Sequence, residues 1–186
     1  METSIIISGF GGQGTLFSGQ LLAYAALDAG RQVTWIPSYG PEMRGGTAHC
    51  TVIVSDEEIG SPIVRNPNIA ILLNLPSLDK YEKLIQKDGL IVANASLINR
   101  EVSRMDIDSI HIPANNIAEG IGNMRLANMV ALGAMITARP ILPLDALKQA
   151  LKDHLPARHK KLLPGNFEAL QRGAEFAKSR LPITNA

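Results

Sequence analysis

The chain has 186 residues, 46% of them hydrophobic and 19% charged, with a formal net charge of +1. That size and make-up fit one domain over residues 1–186 with a substantial core. They give no clustered cations for a nucleic-acid surface. The single cysteine, Cys50, excludes an intrachain disulfide and suits a reducing, cytoplasmic compartment. It also falls short of the roughly four thiolates that an iron–sulfur cluster needs.

The first predicted strand, Ser4–Ser8, is an isoleucine run that leads into Gly9-Phe10-Gly11-Gly12-Gln13-Gly14, and a helix follows over Gly14–Ala29. Glu2 stands where a secretory leader would be basic, and the apolar run stops at the glycines, so no leader is expected. A G-x-G-x-x-G turn between strand and helix has two readings. Backbone N–H groups of Gly9, Gly11, Gly12, Gln13 and Gly14, backed by the helix N-terminus, can hold an anion such as a diphosphate. Alternatively the glycines only let helix and strand pack closely. A classical NAD site also needs an acid ending the second strand to grip the ribose. Here the strand Gln32–Pro37 runs out through Val33-Thr34-Trp35-Ile36-Pro37-Ser38 without one, and the NAD reading fails.

A second framed loop follows: Ser38-Tyr39-Gly40-Pro41-Glu42-Met43-Arg44-Gly45-Gly46. Its prolines restrict the backbone and lower the entropic cost of presenting side chains. Arg44 can clamp a carboxylate or phosphate, Glu42 can orient it or serve as an acid–base group, and Tyr39 can stack or donate. The other reading is an internal Glu42–Arg44 pair or a knob at an interface.

Further strands are expected at Thr47–Val54, Ile69–Asn74 and Gly89–Asn94, with a weaker one at Ser109–Pro113. A helix is expected over Pro76–Gln86, and three more over Asn123–Ala138, Leu144–Leu155 and Asn166–Ser179. Alternating βα units with fully apolar runs such as Ile69-Ala70-Ile71-Leu72-Leu73 predict an α/β, Rossmann-like layered fold. Its sheet is mostly parallel and its C-terminal third helical. Ligands of such sheets gather beyond the carboxyl ends of the strands. The glycine loop and the Tyr39–Gly46 loop are therefore expected at one edge.

Two 13-residue stretches carry no charge, Thr15–Leu27 and Leu126–Ala138. They are too short to span a bilayer, which takes about 20 residues. Helices apolar on nearly all sides need covering on nearly all sides, which points to another subunit. Asn128 is the polar side chain well inside the second of them and must find a hydrogen-bond partner in the core or across an interface. His49 and Cys50, neighbours on a strand, point to opposite faces and cannot act as a dyad; Cys50 is expected to pack as a small apolar residue. His111, His154 and His159 show no metal-ligand spacing, and no metal site is expected. Arg158-His159-Lys160-Lys161 reads as a solvated helix end or loop.

The two loops, with Ser55-Asp56, Ser61-Pro62, Asn74-Leu75-Pro76-Ser77-Leu78-Asp79-Lys80-Tyr81, Asn128-Met129, Leu132-Gly133, and Asn166 with Ala169 and Gly173, resemble the gamma subunit of 2-oxoacid:ferredoxin oxidoreductases. The resemblance covers the whole chain in order. Tyr39, Glu42 and Met43 are more similar to the 2-oxoglutarate and branched-chain 2-oxoacid branch than to the pyruvate branch. It implies a complex that turns a 2-oxoacid and coenzyme A into acyl-CoA and carbon dioxide, passing two electrons to ferredoxin. It implies thiamine diphosphate, magnesium and iron–sulfur clusters in partner subunits, and no membrane or nucleic-acid partner. For this chain it implies a cover over the partners' active site, with coenzyme A at the glycine loop and at Ser38, Tyr39 and Arg44. The alternatives are a stand-alone Rossmann-like nucleotide-binding enzyme and a purely structural adaptor.

Overall fold

The structure is a computed structural model that describes residues 1–39 and 47–180. Six strands form one sheet: β1 (Glu2–Phe10), β2 (Gln32–Tyr39), β3 (Thr47–Ser55), β4 (Ile69–Leu72), β5 (Leu90–Asn94) and β6 (Asp108–Ile112). Their order is β2-β3-β1-β4-β5-β6. β1, β4, β5 and β6 pair in parallel, while β3 runs antiparallel to both β1 and β2. The α/β, mostly parallel sheet expected from the apolar runs is thus present, with one reversed strand. Only seven residues separate β2 from β3, and a parallel crossover needs about a dozen or more. Isoleucines 5, 6 and 7 are buried on both faces, as a central strand requires.

Among the described residues, six α-helices cover the sheet: α1 (Thr15–Asp28), α2 (Leu75–Tyr81), α3 (Ala114–Gly120), α4 (Ala127–Ala138), α5 (Leu144–His154) and α6 (Leu163–Arg180). α3 was not among the expected elements. One core lies between the sheet and α1, α3, α4, α5 and α6; a smaller one lies under α2. Asn74 starts α2 by accepting from the Ser77 N–H at 2.9 Å, with Pro76 in the first turn.

α4 corrects one expectation. Every residue from Asn128 to Met135 is buried within this chain, so no partner is needed to cover it. Gly133 and Gly173 make that possible. A Cβ on Gly133 would run into the Leu170 carbonyl, and one on Gly173 into the Val130 carbonyl, so α4 and α6 cross backbone to backbone. α1 differs: its outer side leaves Phe17 and Leu27 in solvent. No helix among the described residues is long and apolar enough to cross a membrane.

Candidate functional site

The carboxyl end of β1 opens directly into the glycine turn. Gly12 (φ 98°) and Gly14 (φ 77°) both occupy the left-handed region that favours glycine. Gly14 is also hemmed in: Asn128 of α4 fills the space a Cβ would take, and its Nδ2 donates to the Gly14 carbonyl at 3.1 Å. The same carbonyl accepts from the Ser18 N–H and hydroxyl. Asn128 therefore finds its partner inside the chain, although its Oδ1 has none among the described residues.

Gln13 folds back over the strand end. Its Oε1 accepts from the Phe10 N–H at 2.6 Å, and its Nε2 donates to the Leu73 carbonyl at 3.3 Å. α1 begins with no side-chain cap and no acid in its first turn. Its first amide donors are thus left for solvent or a ligand, at the positive end of the helix dipole.

A cavity of about 140 Å³ sits against this turn, lined by Gly12, Gln13, Leu73, Asn94, Asn115, Met124, Arg125 and Ala127. Asn94, buried at the end of β5, donates to Asn115 Oδ1 at 2.8 Å and accepts from the Ala114 N–H at 3.2 Å. Arg125 enters from the turn before α4, where Asn123 Oδ1 accepts from the Arg125 N–H at 3.1 Å. A cation just before a helix N-terminus is electrostatically misplaced, and Arg125 is exposed with no ion pair among the described residues. An anion beside Gly12 would make both features favourable. Sequence reasoning passed over Arg125, yet the signal was present: it is the cation at the amino end of a charge-free helix.

The register aligns Ser8, His49 and Ser38 across β1, β3 and β2. Ser38 and Tyr39 thus reach the same edge as the glycine turn, as expected, but two strands away, about 10 Å. The second loop itself, residues 40–46 with Glu42 and Arg44, lies outside the described residues, and its expected place at this edge is not described.

His49 and Cys50 do face apart. Cys50 donates to the Thr15 carbonyl at 3.4 Å on the α1 side, and burial pushes its thiol up to about 12. His49 meets Tyr81 of α2, ring centroids 5.8 Å apart. Burial first, then the charge of Lys80, lowers its pKa. No cluster of three metal-ligating side chains occurs among the described residues.

A family model described as pyruvate ferredoxin/flavodoxin oxidoreductase matches residues 4–176. The chain belongs to this family, and within it to the gamma type. It is 37% identical over 182 residues to the ketoisovalerate oxidoreductase subunit VorA of Methanothermobacter thermautotrophicus. That match takes in 97% of this chain and 37% of the relative, so the chain spans little more than a third of that protein. The keto/oxoacid ferredoxin oxidoreductase gamma subunit of Geobacter sulfurreducens superposes with a TM-score of 0.81 at 28% identity, covering 95% of this chain and 99% of that one. The 2-oxoglutarate:ferredoxin oxidoreductase of Magnetococcus marinus, solved with 2-oxoglutarate, coenzyme A and succinyl-CoA bound, superposes with a TM-score of 0.86 at 26% identity. It covers 100% of this chain and 32% of its own. The gamma-type chain and its α/β fold thus agree with the family read from the two loops.

Proposed function

We propose that this chain works as the gamma subunit of a 2-oxoacid:ferredoxin oxidoreductase, for a branched-chain 2-oxoacid or 2-oxoglutarate. The complex converts the 2-oxoacid and coenzyme A to acyl-CoA, carbon dioxide and a proton, and two electrons leave to ferredoxin. Thiamine diphosphate, magnesium and the iron–sulfur clusters belong to companion chains: one cysteine, buried and held as a thiol, does not fit cluster binding here. This chain closes over the reacting centre in a cytoplasmic assembly.

At the glycine turn, the reading is that the diphosphate of coenzyme A meets the Gly12 and Gly14 N–H groups, the α1 N-terminus and the Arg125 guanidinium. The observation that carries it is the cavity where Arg125 faces an uncapped helix start. In the second loop, Arg44 clamps an anionic group of the 2-oxoacid or coenzyme A and Glu42 orients it. One observation favours a packing role instead: the Gln13 side chain takes the Phe10 N–H and the Gln13 N–H donates to the Phe10 carbonyl at 3.1 Å, so two turn donors are spent.

The test is titration of the complex with coenzyme A alongside steady-state kinetics. Arg125→Ala should raise the coenzyme A dissociation constant at least about tenfold, roughly 1.4 kcal/mol, and Gly12→Asp should do so by placing a carboxylate against the anion. Arg44→Ala should raise a Michaelis constant by a similar factor. Parent-like coenzyme A affinity in both glycine-turn variants, with the complex intact, leaves the turn a packing device.

A further inference from the structure

α1 is the charge-free helix that its own chain leaves partly uncovered, with Phe17 37% and Leu27 59% exposed. Beside Phe17 a groove of about 400 Å³ opens between α1 and α5, with Leu21 and Leu151 buried at its base and Tyr24 and Leu155 along it. Its wall is held in place. The Tyr24 and His154 rings stack with centroids 4.2 Å apart and planes within 5° of parallel. His154 Nε2 lies 2.8 Å from Asp28 Oδ2, and the Gln20 amide donates to the Tyr24 hydroxyl at 3.3 Å. These polar groups are engaged with one another, and what faces the groove is largely hydrocarbon.

One rim is basic. Arg158 and His159 line the groove, and Lys160 and Lys161 continue the same short helical segment, Ala157–Leu162. Arg158, Lys160 and Lys161 are exposed and make no ion pair among the described residues. Asp28, at the wall, is already paired with His154, and Asp153, next to His154 on α5, accepts from the Gln149 amide at 2.8 Å. A hydrocarbon cleft with an unbalanced positive rim selects a partner that is apolar in the middle and negative at one side.

We propose that this groove docks an acidic segment of a companion subunit. An apolar side chain of that segment seats against Phe17, Leu21 and Leu155, and its carboxylates face Arg158, Lys160 and Lys161. The inference rests on the subunit reading above and names the surface that serves it. The buried anchor supplies most of the binding energy, while the rim charges set register and speed encounter. A polypeptide fits better than a nucleotide. The Tyr24 and His154 rings are stacked on each other and cannot sandwich a base between them.

The test reconstitutes the full chain with its purified companion chains and measures the dissociation constant at low and at raised salt. Arg158→Glu combined with Lys161→Glu should weaken association at least about tenfold at low salt and flatten its salt dependence. Phe17→Asp should weaken it at both salt concentrations. These side chains are exposed, so thermal melting of each free variant should match the parent and separate docking from folding. If the parent associates and the variants associate equally well, the groove proposal is overturned while the subunit reading stands. If the parent does not associate at all, the subunit reading fails and takes the groove with it. Saturable binding of ADP that only the charge-reversed variant loses, with association intact, would make the groove a nucleotide site and likewise overturn the proposal.

Discussion

Glu82 sits buried in the turn that follows α2, with its carboxylate fully used. It accepts from the Ser103 N–H at 2.5 Å, the Ser103 hydroxyl at 2.8 Å and the Arg104 N–H at 3.3 Å, and Arg100 donates at 2.8 Å. Burial alone raises its pKa; the hydrogen bonds from Ser103 and Arg100, with the Arg100 charge, more than reverse that, and the net shift is downward. A carboxyl with a lower pKa folded than unfolded stabilises the fold above its unfolded value, about 4.3. That stabilisation is lost as pH falls through the lower folded value. Glu82→Gln keeps the shape and removes the charge. It should lower stability at neutral pH by about 1–3 kcal/mol and flatten the acid limb of a denaturation-versus-pH curve. A variant whose stability falls as steeply as the parent's below pH 4 would show that other carboxylates carry the acid limb. Asn128 marks how far a single residue type can be read: an amide inside a charge-free helix must be bonded, and it is, but only the fold reveals that the bond goes to Gly14, 114 positions away.

Between elements, the closest approach is where α4 and α6 cross. Interior helix glycines ordinarily cost about 1 kcal/mol relative to alanine, so a bland view expects Gly133→Ala and Gly173→Ala to stabilise. Here each added methyl meets a carbonyl of the opposite helix, and the helices must separate. Both variants should therefore lose about 1–3 kcal/mol, read as a lower melting temperature, with the double variant losing less than the sum because one separation relieves both. A rise in melting temperature in either variant would mean the crossing tolerates a wider gap. All six strands were legible in the sequence because their apolar runs sit between glycine, proline or asparagine breaks. The antiparallel placement of β3 was legible in principle from the seven-residue connection, which is too short for a crossover. α3 was not: Ala114-Asn115-Asn116 opens it with polar residues, and a seven-residue helix gives too few turns for a periodic signal. Of the site, the glycine turn and its edge of the sheet were readable. Arg125 gave only the signal of a cation opening a charge-free helix; its meeting with Gly12, Asn94 and Asn115 was not readable, because it depends on β5, α3 and α4 folding onto one edge.

Taken whole, the molecule is well closed on one face and chemically incomplete. α4 is wrapped by its own chain, which removes one of the two reasons to expect a covering partner; α1, with its open groove, retains the other. The single thiol is buried and unreactive, no metal-ligating cluster occurs among the described residues, and the cavity at the glycine turn offers amides and a guanidinium. Groups of that kind hold and orient an anion, but none of them accepts a pair of electrons. Oxidative decarboxylation needs somewhere for two electrons to go, and on the subunit reading proposed above this chain binds and positions while its companions take them. The purified chain, given a 2-oxoacid, coenzyme A and ferredoxin, should therefore release no acyl-CoA. The same mixture should release it once thiamine-binding and cluster-bearing companions are added, and omitting this chain should depress the rate. Both arms are read by thioester formation and by ferredoxin reduction at its visible absorbance. Turnover by the chain alone would overturn the subunit reading, because an electron acceptor would then have to reside in a polypeptide whose only sulfur nucleophile is sealed in its core.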